Sequence, residues 1–72
     1  MAMREQLERL VDEMVAKGVR FDDAQREFEK KFITHALAKV DGNLGRAADL
    51  LGIHRNTLSR KMTEYRLKRN GN

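Results

Sequence analysis

Side chains that donate hydrogen bonds recur on one side of a short segment near the C-terminus. On a helix that turns by about 100° per residue, this side lies opposite the apolar residues Leu58 and Met62. Its members, with the two residues that flank them in the first turn, are Arg55, Asn56, Thr57, Ser59, Arg60 and Thr63. Guanidinium, amide and hydroxyl groups can contact phosphates and base edges. The segment therefore presents a face suited to a nucleic acid.

This face lacks acidic residues. None occurs between Ile53 and Thr63, and Glu64 follows only near the end of the segment. In helix-turn-helix proteins, the N-terminal part of the second helix enters the major groove and contacts the bases. The combined pattern predicts DNA binding, whereas any one of its features alone is more typical of a helical hairpin with a solvated basic face.

The residues before this face have the spacing of a helix-turn-helix. Ala48 is small enough to allow two helices to cross closely, and Gly52, four residues later, tolerates the positive φ of a tight turn. Ile53 is expected to fill the gap between the helices. The inner face of the second helix then carries Leu58, Met62 and Tyr65.

The whole chain is predicted to be all-α, with four helices. They run from about Ala2 to Lys17, from an N-cap at Asp22 to about Val40, from Leu44 to Leu51, and from Arg55 to Leu67. Gly18 is expected to cap the first helix, and Asn43 the start of the third. Residues 68–72 show no periodic pattern and are expected to fray.

A chain of 72 residues has a marginal hydrophobic core. Small proteins compensate with disulfides, a metal ion or oligomerisation. The sequence has no cysteine, and its two histidines are too few for a zinc site. Oligomerisation is the remaining remedy, and no metal or cofactor is expected.

Two apolar faces in the N-terminal half are candidates for a dimer interface. The stripe of the first helix consists of Leu7, Leu10, Val11, Met14 and Val15. The second helix has a face too wide for one neighbour, formed by Ala24, Phe28, Phe32, Ile33, Ala36, Leu37 and Val40. We expect this helix to pack against its own C-terminal half and against a second copy of the chain. The alternative is that it forms the central core helix of a monomer.

Charge is distributed unevenly along the chain. Residues 1–33 carry seven Lys or Arg and eight Asp or Glu, whereas residues 34–72 carry eight and three. A basic C-terminal half attracts polyanions, although charge alone is equally consistent with a role in solubility. No apolar run is long enough to span a bilayer, and the N-terminus lacks a signal peptide's apolar stretch, so a cytoplasmic protein without a membrane partner is expected.

The sequence offers no constellation typical of an enzyme. It contains no nucleophile–base pair, metal cluster or phosphate-binding loop, and no small-molecule ligand is expected. His35 is interpreted as a partly exposed structural residue, and Asp22-Asp23 as a capping pair. The competing hypothesis is a protein-binding or dimerisation module without DNA binding.

Residues 42–62 resemble a known family. The run Gly-Asn-x-x-Arg-Ala-Ala-x-x-Leu-Gly-Ile-x-Arg-x-Thr-Leu-x-Arg-Lys is similar to the Fis-type helix-turn-helix, found in the nucleoid protein Fis and in the C-terminal domains of NtrC-like activators. The resemblance extends more loosely back to Phe21. It implies a single domain over residues 1–72, in which residues 1–40 form an intertwined dimer core and residues 43–67 the helix-turn-helix.

The resemblance also implies a function and a set of contacts. The protein would be a homodimeric bacterial transcriptional regulator or DNA-bending nucleoid protein. The implied DNA-binding residues are Asn43, Arg46, His54, Arg55, Asn56, Thr57, Ser59, Arg60 and Lys61. Gly45, His54 and Ser59 depart from residues common in the family, and histidine is a poor helix cap, so His54 is expected to contact a base or phosphate instead. The start at Met1 mildly favours a whole gene product, but a fragment cut from a larger activator can begin in the same way, so both remain open.

Overall fold

The computed structural model describes residues 2–67, and these form four helices without a strand. Helix α1 spans Ala2–Ala16, α2 Phe21–Lys39, α3 Leu44–Leu51 and α4 Arg55–Glu64. The predicted all-α class and number of helices are thus confirmed. The expected fraying of residues 68–72 falls outside the described part of the chain.

The hydrophobic core lies between α2, α3 and α4. Helix α2 contributes Ile33 and Leu37, α3 contributes two alanines, and α4 contributes Leu58 and Met62. Ala47 and Ala48 are almost completely buried, because their small side chains bring the backbone of α3 close to both neighbours. Burying a leucine such as Leu58 contributes about 1.5–3 kcal/mol. The core therefore fixes the helix that carries the polar face.

The turn between α3 and α4 has the predicted conformation. Gly52 adopts a φ of 72°, and the backbone N–H of Ile53 donates to the carbonyl of Ala48 over 3.1 Å. A Cβ atom at Gly52 would meet no atom within 4 Å. Glycine is therefore favoured by its backbone conformation and not by lack of space.

The start of α2 differs from the prediction. The N-cap is Arg20, whose side chain forms no capping hydrogen bond, and the helix begins at Phe21. The predicted N-cap at Asp22 is therefore wrong. The extended backbone of Arg20 starts the helix two residues earlier, since its carbonyl accepts from Ala24 over 2.9 Å. Asp22 and Asp23 instead lie in the first turn, where carboxylates interact favourably with the helix dipole.

The end of α4 also differs, because the helix stops at Glu64 and not at Leu67. Arg66 adopts a positive φ of 57°, and the N–H of Leu67 donates to the carbonyl of Met62 over 2.8 Å. This turn brings Leu67 against the core. The apolar residue that suggested a longer helix thus packs inward after the helix has ended.

Two apolar surfaces of the N-terminal half are not covered by any of residues 2–67. No residue of α1 is buried, and its stripe is exposed except for the half-buried Met14, with Leu7 at 52% and Val15 at 71%. On α2, Phe28 and Phe32 are 57% and 52% exposed, with ring centroids 5.2 Å apart. The wide face of α2 therefore packs against the C-terminal half through only part of its width. Within residues 2–67, no helix combines the length and apolar character needed to cross a membrane.

Candidate nucleic-acid interface

Helix α4 begins with a histidine that serves as its cap. The Nδ1 atom of His54 accepts a hydrogen bond of 3.0 Å from the backbone N–H of Asn56. An accepting Nδ1 leaves the ring hydrogen on Nε2. The exposed imidazole therefore stabilises the start of the helix and retains a donor for a further partner. The expectation that histidine caps poorly is not met at this position.

The polar face of α4 is exposed, as its spacing predicted. Arg55, Asn56, Ser59 and Arg60 are all exposed, while Thr57 is half-buried at the edge of the face. Within residues 2–67, neither Arg55 nor Arg60 pairs with a carboxylate. The described interface therefore offers two unneutralised guanidinium groups within the first two turns of one helix.

The start of α3 brings a second pair of predicted site residues to the surface. Asn43 caps the helix, because its Oδ1 accepts from the backbone N–H of Arg46 over 3.0 Å. Both residues are exposed, so the amide NH₂ and the guanidinium remain accessible to a ligand. At the neighbouring Gly45, a Cβ would lie 3.6 Å from Asn43 Oδ1, an ordinary contact. No close contact therefore requires a glycine there.

Lys61 occupies a different environment from the other predicted site residues. Its Nζ lies 2.9 Å from Glu29 Oε1 of α2, and the two side chains retain only 33% and 21% of their exposure. Both other ion pairs among residues 2–67 join side chains that are more than half exposed. The predicted DNA contact of Lys61 therefore competes with a contact inside the protein.

Glu29 is a site residue that the sequence reasoning did not identify. Its Oε1 also accepts from the hydroxyl of Tyr65, and its Oε2 from Gln25 Nε2 over 3.3 Å. The hydrogen bond from Tyr65 and, to a smaller extent, that from Lys61 lower the pKa of the Glu29 carboxyl. Donating a hydrogen bond to the Glu29 carboxylate raises the pKa of the Tyr65 hydroxyl to about 12.

A signal for this cluster is present in the sequence. Glu29 precedes Ile33 by four residues and Leu37 by eight, which places a carboxylate on the buried stripe of α2. Lys61 and Tyr65 follow the same i, i+4 spacing on α4. An acid on a buried stripe requires a partner, and these two residues supply it.

The arrangement can bind an anion. Cations and hydrogen-bond donors collect at the starts of α3 and α4, where the helix dipoles are positive. Residues 2–67 contain no group of three or more His, Cys, Asp or Glu side chains able to hold a metal ion.

A family model described as "Bacterial regulatory protein, Fis family" matches residues 24–65. The chain belongs to the Fis family of bacterial regulatory proteins. The match covers most of α2 and all of α3 and α4, and it ends at Tyr65. Helix α1 lies outside the matched residues. Any role for α1 is therefore inferred from its own apolar stripe.

Two relatives of this Fis-family chain illustrate its similarity. It is 50% identical over 42 residues to a protein of Xylella fastidiosa strain Temecula1 named "Putative Fis-like DNA-binding protein", covering 58% of this chain and 47% of the relative. It is 51% identical over 39 residues to the "DNA-binding transcriptional regulator NtrC" of Bradyrhizobium sp. strain RP501 Parasponia, covering 54% of this chain and 8% of the relative. The chain thus spans about half the length of the first relative. No solved structure matches the chain significantly.

Proposed function

We propose that this Fis-family chain binds double-stranded DNA by inserting the first two turns of α4 into the major groove. The observation that carries the proposal is an exposed face with no acid between Ile53 and Thr63 and with two arginines that pair with no carboxylate among residues 2–67. Both relatives are named as DNA-binding proteins, which supports the same function. The biological role we infer is that of a bacterial transcription regulator or DNA-bending protein of the nucleoid.

The proposed contact residues divide into two groups by position. The start of α4 is proposed to contact bases and adjacent phosphates through His54, Arg55, Asn56, Thr57, Ser59 and Arg60. The start of α3 is proposed to contact the phosphate backbone through Asn43 and Arg46. Contacts with phosphates fix the orientation of the protein, and contacts with base edges give it sequence preference.

The binding unit is proposed to be a homodimer formed by residues 1–40. The exposed stripe of α1 and the exposed pair Phe28 and Phe32 support this proposal, because large apolar surfaces mark interaction sites in soluble proteins. A second copy that covers both surfaces would place two copies of α4 on one DNA duplex. If these are closer together than one DNA turn, binding requires a bend.

The proposed function is tested by measuring the affinity for duplex DNA as a function of salt. Neutralised phosphates release counterions, so we expect the affinity to fall steeply as salt rises. A double variant, Arg55→Ala with Arg60→Ala, should bind weakly, whereas Arg9→Ala, which removes an exposed arginine from α1, should bind like the unmodified protein. If the unmodified protein showed no affinity for duplex DNA at low salt, the chain would instead be a protein-interaction module.

A further inference from the structure

Helix α4 is attached to α2 by a polar contact as well as by the core. Glu29 Oε1 accepts hydrogen bonds from Lys61 of α4 and from Tyr65, the C-cap residue of α4, four residues later. Because the two donors lie on successive turns, the carboxylate restricts rotation of α4 about its axis. Glu29 therefore helps to fix the rotation of α4 about its axis, and this rotation determines which side chains of α4 would face the DNA groove.

We propose that Glu29 is a positioning residue for α4, the proposed recognition helix, and that it keeps Lys61 from contacting the DNA. This inference rests on the proposed DNA binding. The Lys61 ammonium remains on the carboxylate of Glu29 in the complex, so Lys61 neutralises no phosphate. Glu29 thus determines the number of cations that α4 presents to the DNA backbone.

Burial favours this assignment over a contact that DNA displaces. The Lys61 and Glu29 side chains are 33% and 21% exposed, whereas the pair Lys17–Glu13 is 69% and 58% exposed. Removing one partner from a partly buried pair leaves the other charge poorly solvated, and phosphate contacts at the surface offer no compensation for it. Tyr65 holds the carboxylate in place independently of the lysine.

The experiment measures the slope of log affinity against log salt concentration for duplex DNA. Each phosphate contact contributes about 0.9 to the magnitude of this slope, so one contact per protomer contributes about 1.8 in a dimer. Lys61→Met keeps the aliphatic stem of the side chain and should leave the slope unchanged. Arg46→Met, the matched control at a proposed phosphate contact, should lower its magnitude by about 1.8 if the dimer is the binding unit.

Glu29→Gln tests the second half of the proposal. The amide keeps the size of the side chain and an acceptor for Tyr65 but loses the charge that holds Lys61. The released lysine should increase the magnitude of the slope, again by about 1.8. In the double variant Glu29→Gln with Lys61→Met, this increase should disappear, which separates release of Lys61 from simple loss of a negative charge. Helical content by circular dichroism verifies that each variant is folded.

The outcomes distinguish the two proposals. Failure of the unmodified protein to bind DNA would overturn the proposed function, and this inference with it. DNA binding in which Lys61→Met lowers the slope as much as Arg46→Met would overturn only the inference, because Lys61 would then contact a phosphate. An unchanged slope in Glu29→Gln, or an increase that persists in the double variant, would show that Glu29 does not withhold the lysine.

Discussion

The Nδ1 atom of His54 lies 3.0 Å from the backbone nitrogen of Asn56 and accepts its hydrogen bond. The side chain therefore accepts the hydrogen bond of one backbone N–H group that has no partner within α4. Because the same ring is exposed, one residue stabilises the start of α4 and keeps a donor at Nε2 for the proposed contact with DNA.

Substitution of His54 separates these two roles. His54→Ala should lower the free energy of unfolding by about 1 kcal/mol, because the cap is lost. His54→Ser should retain or exceed the stability of the unmodified protein, since serine is a strong cap, but should weaken DNA binding. Urea unfolding and DNA titration of the same samples test this. Equal DNA affinity of the serine variant and the unmodified protein would restrict His54 to capping.

Arg60 is expected to contact a base. It is exposed in the second turn of α4 and pairs with no carboxylate among residues 2–67. Arg60→Ala should cost about 1–3 kcal/mol of binding free energy on the preferred sequence and relax the preference at one base position. Selection of bound sequences from random DNA, with both proteins, provides the measurement. A uniform loss on all sequences would indicate a phosphate contact, and the same comparison applies to Arg55.

Phe28 is expected to lie in the dimer interface. The substitution Phe28→Asp should abolish self-association, because it places a charge on the exposed apolar face of α2. The melting temperature of the unmodified protein should rise with its concentration, since association favours the folded state, whereas that of the variant should not. Sedimentation gives the masses directly. A folded monomer at micromolar concentration for the unmodified protein would contradict the proposed homodimer.

Alkaline pH should weaken the attachment of α4 to α2. Folding raises the pKa of Tyr65 from 10.0 to about 12, so the folded state holds this proton more tightly than the unfolded state. The stabilisation is complete below pH 10 and is lost as the pH rises towards 12. Tyr65 is the single tyrosine in the chain, so its near-ultraviolet absorbance reports the titration directly.

Glu29→Gln provides the control for this titration. With the carboxylate removed, Tyr65 should ionise closer to its ordinary pKa, and the shift should be absent from the protein in urea. At acidic pH, the contribution of Glu29 to stability has the opposite pH dependence. Because folding lowers the pKa of Glu29, its contribution is present above the ordinary carboxyl pKa and is lost as the pH falls through the lowered value. An unshifted Tyr65 in the folded protein would contradict the hydrogen bond to Glu29.

The boundaries of α3, which the sequence predicted correctly, are marked by residue types with a strong capping preference. Asn43 accepts the N–H of Arg46, and Gly52 adopts the positive φ of the turn, so both ends of α3 follow from local residue types. The start of α2 and the end of α4 depend on backbone conformation at Arg20 and Arg66, which are residues without a capping preference. Their local sequences therefore contain little information about where the helices end.

The polar face of the candidate site was predictable, but its attachment was not. The exposure of Asn56, Ser59 and Arg60 follows from the helical period and the positions of the core residues. The cluster at Glu29 joins residues 32 and 36 positions apart, and only the packing of α2 on α4 brings them together. Spacing along one helix indicates which side a residue is on, but not which distant side chain it meets.

Helix α2 runs without interruption for 19 residues, and Phe28 and Glu29 are consecutive within it. Phe28 lies on the uncovered surface, and Glu29 holds α4. No loop separates the two contacts. In a twofold dimer formed through Phe28, the continuous helix α2 would therefore fix the relative orientation of the two copies of α4. If the proposed dimer binds DNA, a site whose halves are out of phase must itself twist or curve, because no loop lies between Phe28 and Glu29 that could take up the difference.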